Sequence, residues 1–394
     1  MHFELYNSLC ILSYIMEKIM QKLPIDKLEP GMIIASPITT KRGQTISKAG
    51  EELTAQLIAR LAFYKIETVE VEDPIIEEPE PEPEPEVAPA PAVEKETVSD
   101  QITYTQRLKQ SPKFKQFQLD YTLNIEYLKE NIEAIIAGAG AECSSMLLEN
   151  VEPLFKSKTS LELFDMITNI KGLDDSVYAH SLNVALISRA IGKWAKLPRE
   201  DLDVLTVAGL LHDIGKTQIP DEILNKPGKL TPEEMTIVQN HTLDGNKLLK
   251  GKDFDQRILS AALQHHERHD GTGYPRKLEK DEIDDFAAIV AIADVYDAMT
   301  AIRAYRNPLC AFQVIGEFEK DGLQKYNTQY ILIFLERIAA TYQNSRVLLS
   351  NMKSGRVVYI NKRNLSRPVI ELDNKEILDL SNSANSDIYI QAIV

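Results

Sequence analysis

One stretch decides the fold class: Ala208-Gly209-Leu210-Leu211-His212-Asp213-Ile214-Gly215-Lys216. The apolar residues before His212 predict a buried helix, on which adjacent side chains point about 100° apart. His212 and Asp213 can still reach two metal ions on one side, with the short carboxylate bridging them. Lys216 returns to the face of Asp213, where it could protonate a departing alkoxide or hold a phosphate oxygen. Taken alone, a structural hydrogen bond explains the His-Asp pair equally well.

Residues of metal-binding type recur on both sides of this pair. Imidazole nitrogens and carboxylate oxygens together suit Fe, Mn or Zn. Two adjacent divalent ions can clamp a phosphate diester and activate a water molecule. The pattern therefore predicts a metal-dependent phosphohydrolase. The series includes five of the seven histidines of the chain and consists of His180, His212, Asp213, His241, His265, His266 and Asp294.

A second dense segment is His265-His266-Glu267-Arg268-His269-Asp270-Gly271-Thr272-Gly273-Tyr274-Pro275. It places two imidazoles directly before a glycine-rich turn, and glycine lets the backbone approach a ligand closely. Tyr274 offers a flat face on which a base could stack. A purely structural protein has little reason for this combination, so the segment favours a functional site.

A carboxylate also lies inside an apolar helical run at Asp294. Asp is rarely buried unless it is paired or bound to a metal. Asp297 follows one turn later and could orient a ligand histidine. Arg303, Tyr305 and Arg306 come next, and could bind phosphate or a guanine edge. Surface salt bridges would explain these last residues as well.

Composition indicates a multidomain chain without disulfides. The chain has 394 residues, and its three cysteines, Cys10, Cys143 and Cys310, are scattered and odd in number. Residues 67–96 carry twelve Asp/Glu and one Lys, so they hold −11 of the net charge of −15. No polybasic stripe indicates a duplex nucleic-acid partner. The apolar run Leu9 to Ile15 is too short for a membrane span, and we expect a cytoplasmic protein.

The expected fold class is mainly α: a helical bundle with a small β-rich N-terminal module and a short β-rich C-terminal appendage. The stretch from Glu80 to Glu86 alternates Glu with Pro, so it forms neither helix nor sheet and is expected to be a spacer. The alternative is that it is a docking peptide for a basic partner.

The expected segments are an N-terminal extension (1–21), the β-rich module (22–73), an acidic Pro-rich linker (74–98), a helical segment (99–170), the motif-bearing catalytic domain (171–326), and a terminal helix with the β appendage (327–394).

Several elements are expected inside these segments. In the module, Met32 to Ile38 and Thr68 to Glu72 predict strands. The helical stripe of Leu128, Ile132, Ile135 and Ile136 either packs on the following domain or pairs with a second subunit in a homodimer. At the end of the chain the pattern predicts a helix from Tyr330 to Tyr342 and strands at Arg356 to Ile360, Val369 to Leu372 and Ile388 to Ile393.

From about Asp174 to Tyr326 the sequence resembles the HD-GYP family of metal-dependent phosphodiesterases. The resemblance includes the metal-ligand series, Gly-Tyr-Pro at residues 273–275, Lys-Pro-Gly-Lys-Leu-Thr at 226–231 and Arg-Ala-Tyr-Arg at 303–306. It implies an HD-domain helical bundle that hydrolyses cyclic di-GMP to pGpG, and often on to GMP.

The resemblance also implies a role for each matching position. His180, His212, Asp213 and Asp294 would hold one ion, with Asp213 shared, and His241, His265 and His266 would complete the other. Lys216 would assist catalysis beside Asp213. Substrate contacts would come from Lys216, Tyr274, Arg303 and Arg306.

One position departs from part of the family. Some relatives carry a Glu one turn before the first histidine, where it recruits a third ion, and this chain has Ser176 there. Asp175 is five residues from His180, about 140° off its face. We therefore expect two divalent ions, with Fe or Mn favoured and Zn as the other option.

The expected reaction is attack of a metal-bridged hydroxide on one phosphodiester of cyclic di-GMP, with Lys216 or solvent protonating the leaving oxygen. Two alternatives remain at this point. One is a catalytically silent cyclic di-GMP receptor, although every expected ligand is present. The other is a phosphohydrolase of another cyclic dinucleotide or nucleotide.

Overall fold

A computed structural model of the chain forms two compact units, residues 1–99 and 100–394, each with its own core. Residues 1–19 of the expected extension, the linker, and the segment with Arg303, Tyr305 and Arg306 lie outside the described residues. The expected end of the extension at residue 21 is wrong, because Met20 and Gln21 belong to the first strand, where they pair with Glu72 and Val71. The structure describes residues 20–24, 27–28, 31–39, 45–54, 57–58, 61, 66, 68–72, 108–156, 158–170, 176–226, 228–301 and 309–394.

The first unit is a small β module, as expected. Thr68–Glu72 pairs antiparallel with Met20–Pro24 on one side and with Ile33–Ile34 on the other. The single strand predicted from Met32 to Ile38 is wrong, because a bend at residues 35–36 divides it in two. Its strands are β1 (Met20–Pro24), β2 (Ile33–Ile34), β3 (Ile38–Thr39), β4 (Thr45–Ser47) and β5 (Thr68–Glu72).

The second unit is a helical bundle that ends in a sheet. Its first long helix begins at Ser111, whose hydroxyl accepts from the Phe114 N–H, and Pro112 occupies the first turn, where no donor is lost. The helices are α1 (Pro112–Ile136), α2 (Glu142–Phe155), α3 (Ser160–Ile170), α4 (Val177–Trp194), α5 (Arg199–Leu211), α6 (Asp221–Leu224), α7 (Pro232–Gln239), α8 (His241–Leu249), α9 (Gln256–Gln264), α10 (Asp285–Thr300), α11 (Ala311–Glu317), α12 (Leu323–Lys325) and α13 (Thr328–Thr341). Short 3₁₀ turns cover Ile214–Gln218 and Lys280–Glu282, and a π-helical turn covers Phe318–Gly322.

Helices α4 and α10 form the centre of the bundle. Both are apolar around most of their circumference, which is typical of helices that neighbours enclose. Helix α4 packs against α5 and α10, and α9 packs against α5, α8 and α10. Polar side chains on these central helices are therefore buried together.

The apolar stripe on α1 packs inside this unit. Leu128, Ile132 and Ile135 are buried in the main core, while Ile136 stays exposed. Three of the four residues thus follow the intramolecular interpretation of the stripe. Pairing with a second subunit stays a prediction.

The C-terminal sheet shares the core of the bundle. Its antiparallel strands are β6 (Arg346–Leu349), β7 (Ser354–Tyr359), β8 (Val369–Leu372), β9 (Ile377–Asp379) and β10 (Ile390–Ile393), in the order β10-β6-β7-β8-β9. Strand β8 matches the predicted bounds, whereas β6 and β9 were not predicted. The side chains of Val347, Val357 and Ile370 belong to the same buried cluster as Phe312 and Ile315.

A half-buried carboxylate connects the sheet to the helices. Glu319, in the π-helical turn, accepts hydrogen bonds from the N–H groups of Leu365 and Ser366, and from the Ser366 hydroxyl. The β segment is thus an integral part of the second unit. Among the described residues, no helix has both the length and the apolarity to cross a membrane.

Candidate metal centre

Three helices bring the first group of donors together. His180 lies in the first turn of α4, His212 directly follows α5, and Asp294 lies within α10. One donor atom from each lies within 4.8 Å of the others. The His180 Nε2 atom is 3.1 Å from Asp294 Oδ1.

A second group of four donors lies beside the first. Asp213, His241, His265 and His266 each offer one atom within 4.8 Å of the others. The His241 and His265 Nε2 atoms are 3.3 Å apart. Since like lone pairs do not attract each other, this spacing indicates atoms that face a common centre.

The Asp213 carboxylate lies between the two groups. Its Oδ2 atom is 3.2 Å from His212 Nε2, and its Oδ1 atom is 3.3 Å from His241 Nε2. Each oxygen therefore points toward a different group. This is the arrangement that the sequence predicted for a carboxylate shared between two ions.

Hydrogen bonds fix which nitrogen of each histidine faces the centre. The Nδ1–H groups of His212, His241 and His265 donate to the carbonyl oxygens of residues 209, 238 and 261, at 2.6–2.9 Å. His180 Nδ1 is bonded to Asp297 Oδ2 at 2.8 Å. With Nδ1 occupied, each ring directs its Nε2 inward, as metal-binding histidines do.

The residues fit a pair of divalent cations. The Nε2 atom of His212 is fully buried and lies 3.2 Å from Asp213 Oδ2, but it makes no hydrogen bond of good geometry among the described residues. A buried polar atom left in this way is costly, and a metal ion would satisfy it. Every donor in the two groups is nitrogen or oxygen, which suits Fe, Mn or Zn and gives no sulfur ligand that would single out Zn.

Burial and neighbouring charges set the protonation of the centre. Burial alone would raise the pKa of Asp213, but His212 and Lys216 hold it well below its usual range. Burial lowers the pKa of His265 to about 4, and burial together with His265 lowers that of His266 well below its usual value. These three groups are therefore in the form that binds a cation.

His180 behaves differently from the other histidines. Burial works against its charge, but hydrogen bonds to Asp294 and Asp297 raise its pKa to about 9. At neutral pH it holds a proton in the free protein. A cation that binds to its Nε2 must displace that proton.

Gly215 allows the two groups to approach. A Cβ atom at this position would lie 1.9 Å from the His241 carbonyl oxygen and 2.5 Å from the Gly245 nitrogen. The 3₁₀ turn after Asp213 therefore packs directly on the start of α8. This contact brings Asp213 within reach of His241.

The Gly-Tyr-Pro segment forms one wall of the metal centre. The ring of Tyr274 stacks on His266 with centroids 4.7 Å apart and planes at 27°. Gly273 has no room for a side chain, because a Cβ would lie 2.5 Å from the Glu267 Cα and the Arg268 nitrogen. The peptide bond between Tyr274 and Pro275 is cis.

The remaining predicted residues divide into two sets. The Lys216 ammonium is about one-fifth exposed and forms an ion pair with Asp213, so it lies at the edge of the centre. Ser176 caps α4, its hydroxyl accepting from the Ala179 N–H. Arg303 and Arg306 fall outside the described residues, so their substrate contacts stay a prediction.

Sequence reasoning missed the part played by Glu267. It is buried and accepts hydrogen bonds from two backbone N–H groups of the loop that follows Tyr274. The signal was present, because an acidic residue beside two ligand histidines is expected to be paired if it is buried. Nothing in the spacing shows which backbone groups would pair with it.

Known proteins with similar sequences belong to a class that fits these donor groups. Residues 142–329 match the family model described as HD domain. A cyclic di-GMP phosphodiesterase of Pseudomonas aeruginosa is 34% identical over 52% of this chain and 50% of its own. One of Thermotoga maritima is 37% identical over 45% of this chain and 48% of its own.

A third relative has a different printed substrate. A 3′3′-cGAMP-specific phosphodiesterase of Vibrio cholerae is 34% identical over 45% of this chain and 35% of its own. The chain thus spans half or less of the length of these three relatives.

The helical bundle and its two groups of His and Asp donors define an HD domain. The matched residues also carry Gly-Tyr-Pro at residues 273–275, the motif by which the sequence resembles the HD-GYP family.

Proposed function

We propose that this chain is a metal-dependent phosphodiesterase that hydrolyses cyclic di-GMP to pGpG, GMP or both. The observation that carries the proposal is the convergence of seven donors into two adjacent groups that share Asp213. The relatives named as cyclic di-GMP phosphodiesterases support it. We assign the metal ligands as His180, His212, Asp213, His241, His265, His266 and Asp294.

Two divalent ions held there would lower the pKa of water and neutralise charge on the phosphodiester. The chain supplies the other requirements. Lys216 is positioned by Asp213 to hold a phosphate oxygen or to donate a proton to the 3′ oxygen as its bond to phosphorus breaks. Tyr274 offers a fixed aromatic face beside His266 on which a base can stack.

Chromatography of the products made from cyclic di-GMP tests the proposal, with the full chain loaded separately with Fe, Mn and Zn. We expect pGpG or GMP to form with Fe or Mn, and no product from the Asp213→Ala variant. Tight binding without turnover at full metal occupancy would instead identify a receptor. Equal product formation by wild type and Asp213→Ala would exclude this site.

A second candidate substrate is 3′3′-cGAMP. It is favoured by the relatives from Vibrio cholerae named for that dinucleotide. The same metal centre serves either substrate, because the two share the phosphodiester and differ in one base. The ratio of kcat/KM for cyclic di-GMP and 3′3′-cGAMP, measured on one metal-loaded preparation, decides between them.

A further inference from the structure

Glu267 is a buried carboxylate that the proposed reaction does not use. It is 2% exposed and belongs to neither donor group. Its Oε1 atom accepts from the Arg276 N–H at 2.6 Å, and its Oε2 atom accepts from the Leu278 N–H at 3.1 Å. A buried carboxylate is tolerated where hydrogen bonds of this kind satisfy it.

The donors of these two hydrogen bonds, Arg276 and Leu278, follow the Gly-Tyr-Pro segment in the sequence. The chain leaves the metal centre at His266 and Glu267, turns, and returns through Tyr274. The Tyr274 N–H donates to the His266 carbonyl at 3.3 Å, and its ring stacks on the His266 ring. Gly273 packs on the Glu267 backbone. The Glu267 side chain thus binds the backbone after Tyr274, at residues 276 and 278, while Gly273, just before Tyr274, packs on the Glu267 backbone.

We propose that Glu267 is a positioning residue that holds the Tyr274 ring stacked on His266 and so fixes one wall of the metal centre. Its contacts are with backbone N–H groups, so it acts through Tyr274 and touches no reacting atom. That a base of the substrate uses this wall rests on the proposed function. The contacts of Glu267 that hold the loop, called the Glu267 clamp below, are present in the protein without substrate.

The test is Glu267→Gln, which keeps the size of the side chain. A glutamine offers one acceptor oxygen, so its NH₂ must face one of the two backbone N–H groups, donor against donor. We expect the amides of Tyr274, Arg276 and Leu278 to exchange with deuterium roughly tenfold faster or more, as the loss of one charge-assisted bond would produce. Metal content should stay at the wild-type level.

Kinetics supply the second measurement. Loss of one stacked base should raise the KM for cyclic di-GMP roughly tenfold, with kcat changed much less. Tyr274→Ala should raise the KM as much as Glu267→Gln does. The double variant should have a KM little higher than that of either single variant, because both changes remove the same contact. Glu282→Gln is the matched control: its carboxylate also accepts a backbone N–H, from Glu279 on the exposed turn, and it should change neither quantity.

The proposal is overturned by unchanged exchange at the Tyr274 amide, by additive effects of the two variants, or by loss of metal in Glu267→Gln. Should the glutamine variant not fold, Glu267→Asp replaces it, since aspartate keeps the charge but is too short to reach both donors. If neither variant folds, Glu267 is only a structural contact. If the wild-type chain hydrolyses no cyclic dinucleotide, the proposed function fails. The exchange rates of the Tyr274, Arg276 and Leu278 amides then test the Glu267 clamp without the kinetics.

Discussion

At the scale of single residues, the His212 ring is held in one orientation and directs its buried Nε2 toward the Asp213 carboxylate. Histidines in a core usually satisfy both ring nitrogens with protein groups. Here Nδ1 is bonded to a carbonyl, while Nε2 faces the shared centre and makes no hydrogen bond of good geometry in the described part of the chain. The hydrogen bond at Nδ1 thus leaves Nε2 directed to the place where a cation would bind.

Replacing His212 by alanine should therefore remove a direct ligand. Since mutation of an outer-shell partner already costs about 10- to 100-fold in metal affinity or activity, we expect turnover to fall by more than roughly 100-fold. The far-ultraviolet circular dichroism should stay unchanged, and metal analysis should show a loss of up to one ion per chain. His269→Ala, in the neighbouring loop but outside both donor groups, should keep the full metal content.

The protonation of His180 gives a pH prediction. Its pKa is raised to about 9, so it carries a proton below that pH and must lose it to bind a cation. Metal affinity should rise with pH up to about 9, and binding near pH 7 should release one more proton than binding well above pH 9. Calorimetry in buffers of different ionisation enthalpy counts these protons.

A comparison with His180→Ala isolates that proton. The variant lacks the titrating ring, so it should release one proton fewer than the wild-type chain near pH 7. Equal proton release by the two proteins would contradict the assignment of His180 as a ligand.

At the scale of elements, the centre depends on how closely the 3₁₀ turn after α5 packs against α8. Gly215 makes that contact with backbone atoms only. We expect Gly215→Ala to destabilise the fold by about 1–3 kcal/mol or more, as overpacking does, and to weaken metal binding because Asp213 moves away from His241.

Thermal unfolding of the metal-free protein and metal titration measure these two effects. Gly316→Ala is the matched control, because a Cβ at this helical position meets only Ser366 at an ordinary 3.5 Å. It should leave stability unchanged or raise it by up to about 1 kcal/mol, as alanine favours a helix over glycine. Equal loss of stability in both variants would show that close packing at Gly215 is not what matters.

At the scale of the whole molecule, the C-terminal sheet belongs to the second unit, whereas the N-terminal module has a separate core. A fragment of residues 100–394 should therefore fold and bind the metal pair. Removal of residues 346–394 should prevent folding, because it uncovers apolar side chains of α11 and leaves Glu319 without its partners.

Expression of the two fragments tests this division. Circular dichroism and cooperative thermal unfolding report the fold, and metal analysis reports the centre. A stable, metal-binding chain that ends at residue 345 would show that the sheet is a dispensable appendage after all.

Much of this architecture can be predicted from local sequence. The apolar runs around Asp213 and Asp294 indicate buried helices, and the His and Asp spacing indicates the donors, because these signals depend on neighbours along the chain. Strand β8 was predicted with its observed bounds, whereas β6 and β9 were missed. Short strands at the edge of a shared core owe their pairing to distant residues.

By itself, the sequence determined that seven donors of the right chemistry lie on buried helices and beside a glycine-rich turn, since residue type and periodicity are local properties. The tertiary structure supplied the distances from Asp213 to both groups, the identity of the histidine that Asp297 contacts, and the contact by which Glu267 closes the loop of Tyr274. Spacing along the chain predicted that Asp213 could bridge two ions and that Asp297 could orient a ligand histidine, but the particular partners depend on how the helices pack and on the backbone path of the loop.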